Sequence, residues 1–564
     1  MAENKPKTRD EIIRDDVKEL HRLGYAQQLF REMGGFSNFA ISFSIISILT
    51  GAILLYGYGL KFAGPMMNSI GWPLISVFTL CIAASMAELA SAYPTAGGLY
   101  YWANRLGGFR WAWITAWLNM LGQITITAGI DIAAAIYLVG FLSKTFGIAP
   151  DTAVPLFGTV TSWGFYIFIM VLIMIPQIMI NAFGIKLTAL LNDFSVYWHI
   201  GGVFVIALLL AIFAKYHNPA SFVFSYQNTI NPLDAASATL ADGTVGPALV
   251  IGPYTFPSPL FALIPGLQSL YLAAPFALIF PLAWLQAQWT YTGYDASAHV
   301  AEETVLARLN SAWGVFLSVA VSAVVGYIVL MAVTWVIPRG DVAATALDPY
   351  PVLYVAYENL SLFLASVVGV IIAVAMWLCG LSSITSMSRM WFAFARDDGM
   401  PGSGAIKKVH PKWRTPVNSI VITSIIAVII CLYSAAFFVV TSISTIALYL
   451  AYGIPIWLNF RNKRRKQGEF TTPETAPWSL KRWGPFLNVV AFIWIIIITV
   501  VFILPPNELV LWTMVSLAVI MLVYWQVGAK KWFRGPKKAS EEELRRIEDE
   551  LEKLAHGGAP ATTD

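Results

Sequence analysis

Long runs of apolar residues, separated by short polar segments, recur along almost the whole chain of 564 residues. A helix needs about 20 predominantly apolar residues to cross a bilayer. The pattern therefore predicts an all-α polytopic membrane protein with about twelve transmembrane helices. We number these spans 1 to 12 in chain order, at 36–60, 72–92, 110–141, 162–181, 191–214, 270–300, 312–337, 362–388, 415–434, 437–460, 484–504 and 508–526.

The spans divide the chain into an N-terminal segment (1–34), a transmembrane domain (35–526) and a C-terminal tail (527–564). The N-terminal segment is polar and has no cleavable signal pattern. Helical spacing of its apolar residues predicts either a surface helix or a partly ordered tail. Residues 216–269 form the longest predicted external loop, and Ser540 with Glu543 predicts a capping box in the tail.

The placement of the basic residues supports one topology. With an even number of spans and a cytoplasmic start, only Lys61, Lys144, Lys215 and Arg339 fall outside, which leaves 32 of the 36 Lys and Arg inside. This is the expected inside excess of positive charge. It predicts a multi-pass protein of the cell membrane, plasma or inner, with both termini cytoplasmic.

Composition excludes several classes of function. Only 12% of the residues are charged, against about 25% in soluble domains, so the predicted surroundings are the lipid bilayer. The net charge of +4 follows from the topology and predicts no nucleic-acid partner. Cys81, Cys379 and Cys431 lie far apart and are expected to be small buried residues. The sequence also shows no pattern typical of an enzyme, a channel filter, a metal site or a cofactor site.

Two spans carry small polar residues and glycine at mid-membrane depth. Span 1 contains SILTGA at 47–52, and span 6 contains WTYTGYD at 289–295. Breaks in corresponding helices five spans apart indicate inverted repeats around a central site. The repeats would cover about 36–214 and 270–460, with spans 11 and 12 peripheral. The alternative is that glycine is simply common in membrane helices.

Three segments carry a family resemblance: SAYPTAGGLYYW at 91–102, TGYD at 292–295 and SRMWFAFARDDGMP at 388–401. In this order they resemble the amino acid–polyamine–organocation permeases. LGY at 23–25 and GYDASAH at 293–299 resemble the amino acid/choline transporter branch, which includes 4-aminobutyrate and choline permeases.

The resemblance implies a LeuT-like fold with a five-plus-five inverted repeat and broken helices 1 and 6. It also implies secondary active transport by alternating access. The implied activity is import of a small amino acid or related amine such as 4-aminobutyrate, with protons as the expected coupling ion. A substrate exchanger of the same fold is the main alternative, and choline or polyamine transport is a further one.

Broken helices offer unpaired backbone groups to a substrate, with N–H donors for a carboxylate and carbonyls for an ammonium. An aromatic face adds about 1–2 kcal/mol to the binding of a desolvated cation, although Trp289 and Tyr291 could simply be packing residues. Asp131 in span 3 could pair with a substrate amine or with a neighbouring helix. The predicted substrate-binding residues are Ile48, Thr50, Gly51, Ala52, Asp131, Trp289, Thr290, Tyr291, Thr292 and Gly293.

Two titratable residues are candidates for coupling and gating. Asp295 follows the second break, and an acid inside a membrane is expensive; the alternative role is to cap freed N–H groups. His199 lies about 12 Å along span 5. Some proton-coupled permeases of the family that this sequence resembles have a lysine at this position. Ser382 and Ser383 of span 8 would complete this region. The alternative is a neutral histidine bonded to a helix carbonyl.

Several polar residues flank the predicted inner ends of the spans. Glu88, Arg389 and Asp397 are expected to fix loops or the inner gate. His299 lies one turn beyond Asp295 and could share its proton. The adjacent glutamates, Glu302 and Glu303, are expected to be solvated.

Overall fold

The computed structural model describes residues 7–148, 162–227, 259–264, 266–432, 436–505, 507–542, 544–547 and 549, with short strand segments between them. Parts of the predicted loop 216–269, chiefly 228–237 and 240–244, therefore lie outside the described residues, as does Glu543 of the predicted capping box.

Twelve spans are present in the described chain, at nearly the predicted positions. Ten helices are long and apolar enough to cross a membrane. The two remaining spans are span 9, which is the shorter apolar helix Val417–Cys431, and span 6, which is divided into short pieces. The chain is thus an all-α polytopic membrane protein, as predicted.

The spans have the following bounds: span 1, Gly35–Ile46, Gly51–Leu54 and Tyr56–Ala63; span 2, Met67–Gly71 and Trp72–Ala92; span 3, Phe109–Phe146; span 4, Ser162–Phe183; span 5, Ile185–Phe213; span 6, Pro275–Ile279, Phe280–Trp284, Leu285–Thr290 and Ala296–His299; span 7, Ala307–Trp335; span 8, Leu362–Arg396; span 9, Val417–Cys431; span 10, Ala436–Arg465; span 11, Gly484–Ile503; span 12, Glu508–Tyr524, Trp525–Ala529 and Lys530–Trp532.

Shorter elements connect the spans. The helices and 3-10 turns are Arg9–Arg22, Leu99–Gly107, Ala220–Val223, Pro259–Leu263, Leu267–Ala273, Ala301–Glu303, Pro338–Gly340, Val342–Leu347, Pro351–Asn359, Ser403–Ile406 and Lys481–Trp483. Antiparallel strand pairs join Pro155–Leu156 to Thr159–Val160, Ala238–Thr239 to Val245–Gly246, and Ala248–Ile251 to Tyr254–Pro257.

The packing places several long spans against one another and leaves span 12 at the edge of the bundle. Span 3 packs along spans 8 and 10, and span 7 packs along spans 1 and 2. Span 12 leaves most of its apolar side chains exposed, as at Ile520 and Leu522, which is expected of a helix that faces lipid. Of the three cysteines, Cys379 and Cys431 are buried, but Cys81 is only partly buried.

The first and last described segments of the chain lie on one face of the bundle, which we call the terminal face. The N-terminal helix Arg9–Arg22 begins with a capping box between Thr8 and Glu11, and the chain then runs across the ends of the spans. The C-terminal tail crosses the same face, where the Ala539 N–H donates to the Gly24 carbonyl at 3.0 Å. The N-terminal segment is thus packed against protein.

A carboxylate at the end of span 8 joins these terminal segments. Asp397 Oδ2 accepts hydrogen bonds from the hydroxyls of Tyr25 and Tyr100 at 2.7 and 2.9 Å. Its Oδ1 accepts from the Lys537 N–H at 2.9 Å. Burial raises the pKa of Asp397, although Arg396 and these donors favour its charged form.

The prediction that Glu302 and Glu303 are solvated was wrong. Both are buried, because the chain after span 6 turns back under the bundle and meets two arginines of span 8. Arg396 donates two bonds of 2.9 Å to the Glu302 carboxylate, and Arg389 binds Glu303 at 3.2 Å. Burial alone would raise the pKa of Glu302, but Arg396 holds it below its ordinary value.

We predict that Glu302→Gln destabilises the protein by about 3–5 kcal/mol, because it leaves the nearly buried guanidinium of Arg396 without its anion. The measurement is the thermal unfolding midpoint of the purified protein in detergent. Glu469→Gln is the matched control, since Glu469 also pairs with an arginine, Arg105, but both side chains are partly exposed. Its cost should stay below about 1 kcal/mol. Equal midpoints for the two variants would contradict this role of the buried pair.

Candidate substrate site at the breaks of spans 1 and 6

Span 1 is interrupted where the sequence predicts. Its first helix ends at Ile46, and Ser47 takes a left-handed conformation with φ 31° and ψ 85°. The N–H groups of Thr50 and Gly51 then both donate to the Ser47 carbonyl, at 2.8 and 3.0 Å, and a new helix begins at Gly51. A single left-handed residue thus divides the helix near its middle.

Span 6 is interrupted between Thr290 and Ala296. Side chains of other spans satisfy the backbone groups that the break frees. The Tyr449 hydroxyl donates to the Tyr291 carbonyl at 2.5 Å, and the Ser42 hydroxyl donates to the Tyr294 carbonyl at 2.8 Å. The Gly293 N–H donates to the Tyr452 hydroxyl at 3.2 Å. Spans 1 and 10 therefore hold the break open as a fixed structure.

The two breaks enclose a small cavity between spans 1, 3 and 6. Its free volume is about 10 Å³, which is room for one water molecule. The lining residues are Ile45, Ile46, Thr50, Gly51, Ile126, Ile130, Trp289 and Thr290. The lining side chains are at most 3% exposed, so the cavity is buried and its walls lie close together.

Four of the predicted substrate-binding residues line this cavity: Thr50, Gly51, Trp289 and Thr290. Ile48, Ala52, Tyr291 and Thr292 lie beside it, on the breaks themselves. Sequence reasoning missed the apolar walls of spans 1 and 3. The spacing of Ile126 and Ile130, one turn apart, was a usable signal, but many other pairs in span 3 share it.

Glycine is required at both breaks because the backbones approach closely. A Cβ at Gly51 would lie 2.8 Å from the Thr290 Cα, which is backbone that cannot give way. A Cβ at Gly293 would lie 2.3 Å from Ile45 Cγ2, and Gly293 also has a φ of +82° that disfavours other residues. The breaks of spans 1 and 6 are therefore packed directly against each other.

Asp131 lies in the bundle but outside the cavity lining. Its Oδ1 accepts a hydrogen bond from the Gln177 amide of span 4 at 3.1 Å, and its Oδ2 has no partner among the described residues. Gly380 of span 8 makes room for this carboxyl, since a Cβ there would lie 2.1 Å from Oδ1. Its neighbour is thus another helix in this conformation.

His199 reaches the break of span 1 from span 5. Its Nε2 lies 2.7 Å from the Ser47 hydroxyl, and its Nδ1 lies 2.8 Å from the Ser195 carbonyl. A neutral imidazole with its proton on Nδ1 satisfies both contacts. The Ser47 hydroxyl lies 2.6 Å from that of Thr50. The imidazole is thus one hydroxyl away from a residue that lines the cavity.

Ser382 and Ser383 lie on span 8 but bond to other neighbours. The Ser382 hydroxyl donates to the side-chain oxygen of Asn192 in span 5. The Ser383 hydroxyl lies 2.6 Å from that of Thr127 in span 3. The structure gives no direct bond between either serine and His199 among the described residues.

Asp295 has four hydrogen-bond contacts at the end of the second break. Asn119 and Gln123 of span 3 donate to Oδ2 at 2.9 and 3.0 Å. The Tyr452 hydroxyl donates to Oδ1 at 2.9 Å. The fourth contact is His299, whose Nε2 lies 3.0 Å from Oδ2. The carboxyl is fully buried and joins spans 3, 6 and 10.

We predict that Gly51→Leu or Gly293→Leu abolishes binding of the small amine or amino acid ligand while the protein still inserts. Either side chain would have to occupy space that the opposite break already fills. The measurement is ligand affinity of the purified variants. Gly201→Leu is the control, because an added Cβ there meets nothing within 4 Å. Unchanged affinity in either break variant would reject this site.

Comparison with known proteins agrees with the fold class. A family model described as amino acid permease matches residues 33–525. Amino-acid permease BAT1 of Arabidopsis thaliana is 33% identical over 547 residues, which cover 92% of this chain and 95% of that protein. The Amino-acid permease BAT1 homolog of Oryza sativa subsp. japonica is 34% identical over 545 residues, 92% of this chain and 94% of the relative.

A more distant relative is named as a transporter of a different substrate class. A Putative polyamine transporter of Candida albicans is 24% identical over 572 residues, which cover 97% of this chain and 94% of that protein. The family match and the full-length relatives confirm the resemblance drawn from the sequence motifs. The chain belongs to the amino acid permease family of the amino acid–polyamine–organocation superfamily, whose members are multi-pass membrane transporters and not enzymes.

Proposed function

We propose that this permease imports a small amino acid or related amine, such as 4-aminobutyrate, together with protons and by alternating access. The observation that carries the proposal is the small, water-sized cavity where the two broken helices meet. Two broken helices around one central site suit alternating access, whereas a channel needs an open path. We further propose a plasma or inner membrane location, with the terminal face cytoplasmic.

The cavity wall fits a small zwitterion or amine. Its polar part comes from the break of span 1, where Gly51 begins a new half-helix whose positive end suits a carboxylate. To bind that carboxylate, the N–H groups of Thr50 and Gly51 would leave the Ser47 carbonyl. Its aromatic part is Trp289, which is fixed by a 3.0 Å bond from its indole N–H to the Ser444 hydroxyl. The remaining wall is isoleucine, which suits the short methylene chain of 4-aminobutyrate.

The contracted volume means that the walls must separate when substrate binds. The names of the relatives support both substrate classes, since amino-acid permeases and a putative polyamine transporter are among them. Choline and polyamines are the longer or bulkier alternatives, and they would require a larger movement of the isoleucine walls.

For coupling, we propose that His199 binds and releases a proton in each cycle. In the neutral form its Nε2 accepts a hydrogen bond from the Ser47 hydroxyl. Protonation would turn Nε2 into a donor, so the Ser47 hydroxyl would have to reorient and its contact with Thr50 would change. A proton could thereby bias the arrangement of the break and its affinity for substrate.

Uptake into proteoliposomes, with 4-aminobutyrate, choline, putrescine, ethanolamine and neutral amino acids as a panel, tests the substrate. We expect 4-aminobutyrate or a neutral amino acid to give the highest uptake under an inward proton gradient. Counterflow without a gradient tests the alternative of an exchanger. Transport that occurs only in counterflow, and never against a gradient, would favour exchange.

We predict that His199→Gln weakens the pH dependence of uptake while substrate binding persists, because glutamine keeps hydrogen-bonding capacity but cannot take up the proton. Uptake is measured at about pH 5.5 and 7.5, on either side of the usual histidine range, with and without a proton gradient. His217→Gln, an exposed histidine outside the bundle, is the control. A His199→Gln variant that still concentrates substrate like the parent would remove His199 from this role and leave Asp295 as the leading candidate.

A further inference from the structure

His299 has a hydrogen-bond acceptor at each of its two ring nitrogens. Nε2 lies 3.0 Å from Asp295 Oδ2, and Nδ1 lies 3.0 Å from the Ala96 carbonyl oxygen. A carbonyl oxygen cannot donate, and a neutral imidazole carries only one N–H. The ring is fully buried, so bulk water does not reach it.

The other bonds of Asp295 decide where the shared proton lies. Oδ2 already accepts from Asn119 and Gln123, and Oδ1 accepts from Tyr452. Three donors besides His299 fit the ionised form of the carboxyl, which accepts on both oxygens. The geometry is therefore that of an imidazolium between a carboxylate and a carbonyl, with the proton on His299.

Ala96 belongs to the turn 93–98, which connects span 2 to the helix Leu99–Gly107. The end of span 6 holds this turn from two sides. His299 binds the Ala96 carbonyl, and the Ala96 N–H donates to Glu302 Oε1 at 3.0 Å. Gly98, with a φ of +45°, rests on the imidazole, where an added Cβ would lie 3.2 Å from Cε1. One of the two bonds thus depends on the second proton of His299.

We propose that His299 is a proton-carrying positioning residue that fastens the turn 93–98 beneath the substrate site. In its protonated form it ties Asp295, at the break of span 6, to Ala96 and keeps the terminal face closed. Loss of the proton leaves one acceptor unpaired and releases the turn, so that this face opens. The inference rests on the proposed alternating access with protons, and it assigns His299 a role apart from that of His199.

Among the groups around His299, the Asp295 carboxylate is the one that can stabilise a positive charge on the imidazole. Span 3 presents only the amides of Asn119 and Gln123, and span 10 presents the neutral hydroxyl of Tyr452. Span 1 presents the amide of Asn38 and the hydroxyl of Ser42, which bond to other residues of span 6. Span 7 contributes Gly314, which packs on Ser297. No other charged side chain contacts the imidazole in the described part of the chain.

The arginines of span 8 are already paired. Arg396 binds Glu302 and Arg389 binds Glu303. These ion pairs hold the same end of span 6, but neither reaches the imidazole. Removing the proton from His299 therefore changes the contact with Ala96 without first breaking an arginine pair.

The direction of the linkage follows from the contacts. The docked turn binds the protonated form of His299 and not the neutral form, so closure of the terminal face and proton binding favour each other. A closed terminal face takes up the proton, and an open one gives it up. Higher pH on the terminal side should therefore shift the empty protein towards the state that is open on that side.

The test uses thiol labelling as a measure of opening. Thr95 is buried beside Ala96, so a Thr95→Cys reporter in a protein without its three native cysteines reacts only when the turn moves. A membrane-impermeant maleimide is applied from the terminal side, without substrate or gradient. We expect labelling to rise about tenfold between about pH 6 and 8.5 in the parent, and less than about twofold in His299→Gln, which carries no titratable proton.

Another His→Gln variant serves as the reference. His217→Gln removes an exposed imidazole far from the turn and should retain the parental response. A structural role alone would change the amount of labelling in His299→Gln at every pH, but would leave its pH response intact.

The proposal is overturned if labelling of the parent reporter does not change with pH, or if His299→Gln follows the parental pH profile. If His299→Gln does not fold, Asp295→Asn removes the carboxylate that holds the proton and should flatten the profile in the same way. A pH-dependent opening in a protein that shows no proton-driven uptake would refute the proposed function and leave this inference standing.

Discussion

The need to satisfy every backbone polar group inside a membrane governs this structure. A broken helix exposes N–H and carbonyl groups that lipid cannot pair, so a break survives only where other side chains supply partners. Here the hydroxyls of Tyr449, Ser42 and Tyr452 serve span 6. The break of span 1 instead pairs with its own Ser47 carbonyl. The positions of spans 1 and 10 around span 6 follow from this requirement.

The same constraint explains why the central site and the terminal face are linked. Asp295 ends the break of span 6 and collects donors from spans 3 and 10. Four residues later, His299 meets the turn 93–98, and the chain then turns so that Glu302 meets Arg396. A movement at the break would therefore be transmitted through the short polar segment 295–302, because its side chains are hydrogen-bonded to other elements. In a purely apolar helix end, repacking of the side chains would accommodate the same movement.

The sequence allowed prediction of the elements whose signals are local. Apolar length located the twelve spans, and glycine among small polar residues located both breaks near Gly51 and Gly293. What failed depended on contacts between distant segments. Glu302 and Glu303 follow a span end and carry charge, so they were expected in water. Their partners lie more than 80 residues away on span 8, and no local pattern indicates that the chain turns under the bundle.

In the candidate site, too, the residues with a local sequence signal were predicted and those without one were missed. Residues on the breaks were identifiable because a break has a local signature, and Thr50 and Trp289 do line the cavity. The wall from span 3 was missed, because Ile126 and Ile130 look like any buried pair on a long apolar helix. Asp131 carried the stronger signal in the same span, as an isolated acid, yet its side chain meets Gln177 of span 4. Charge inside a membrane identifies a residue that needs a partner, but only the packing of the helices determines whether that partner is a ligand or another helix.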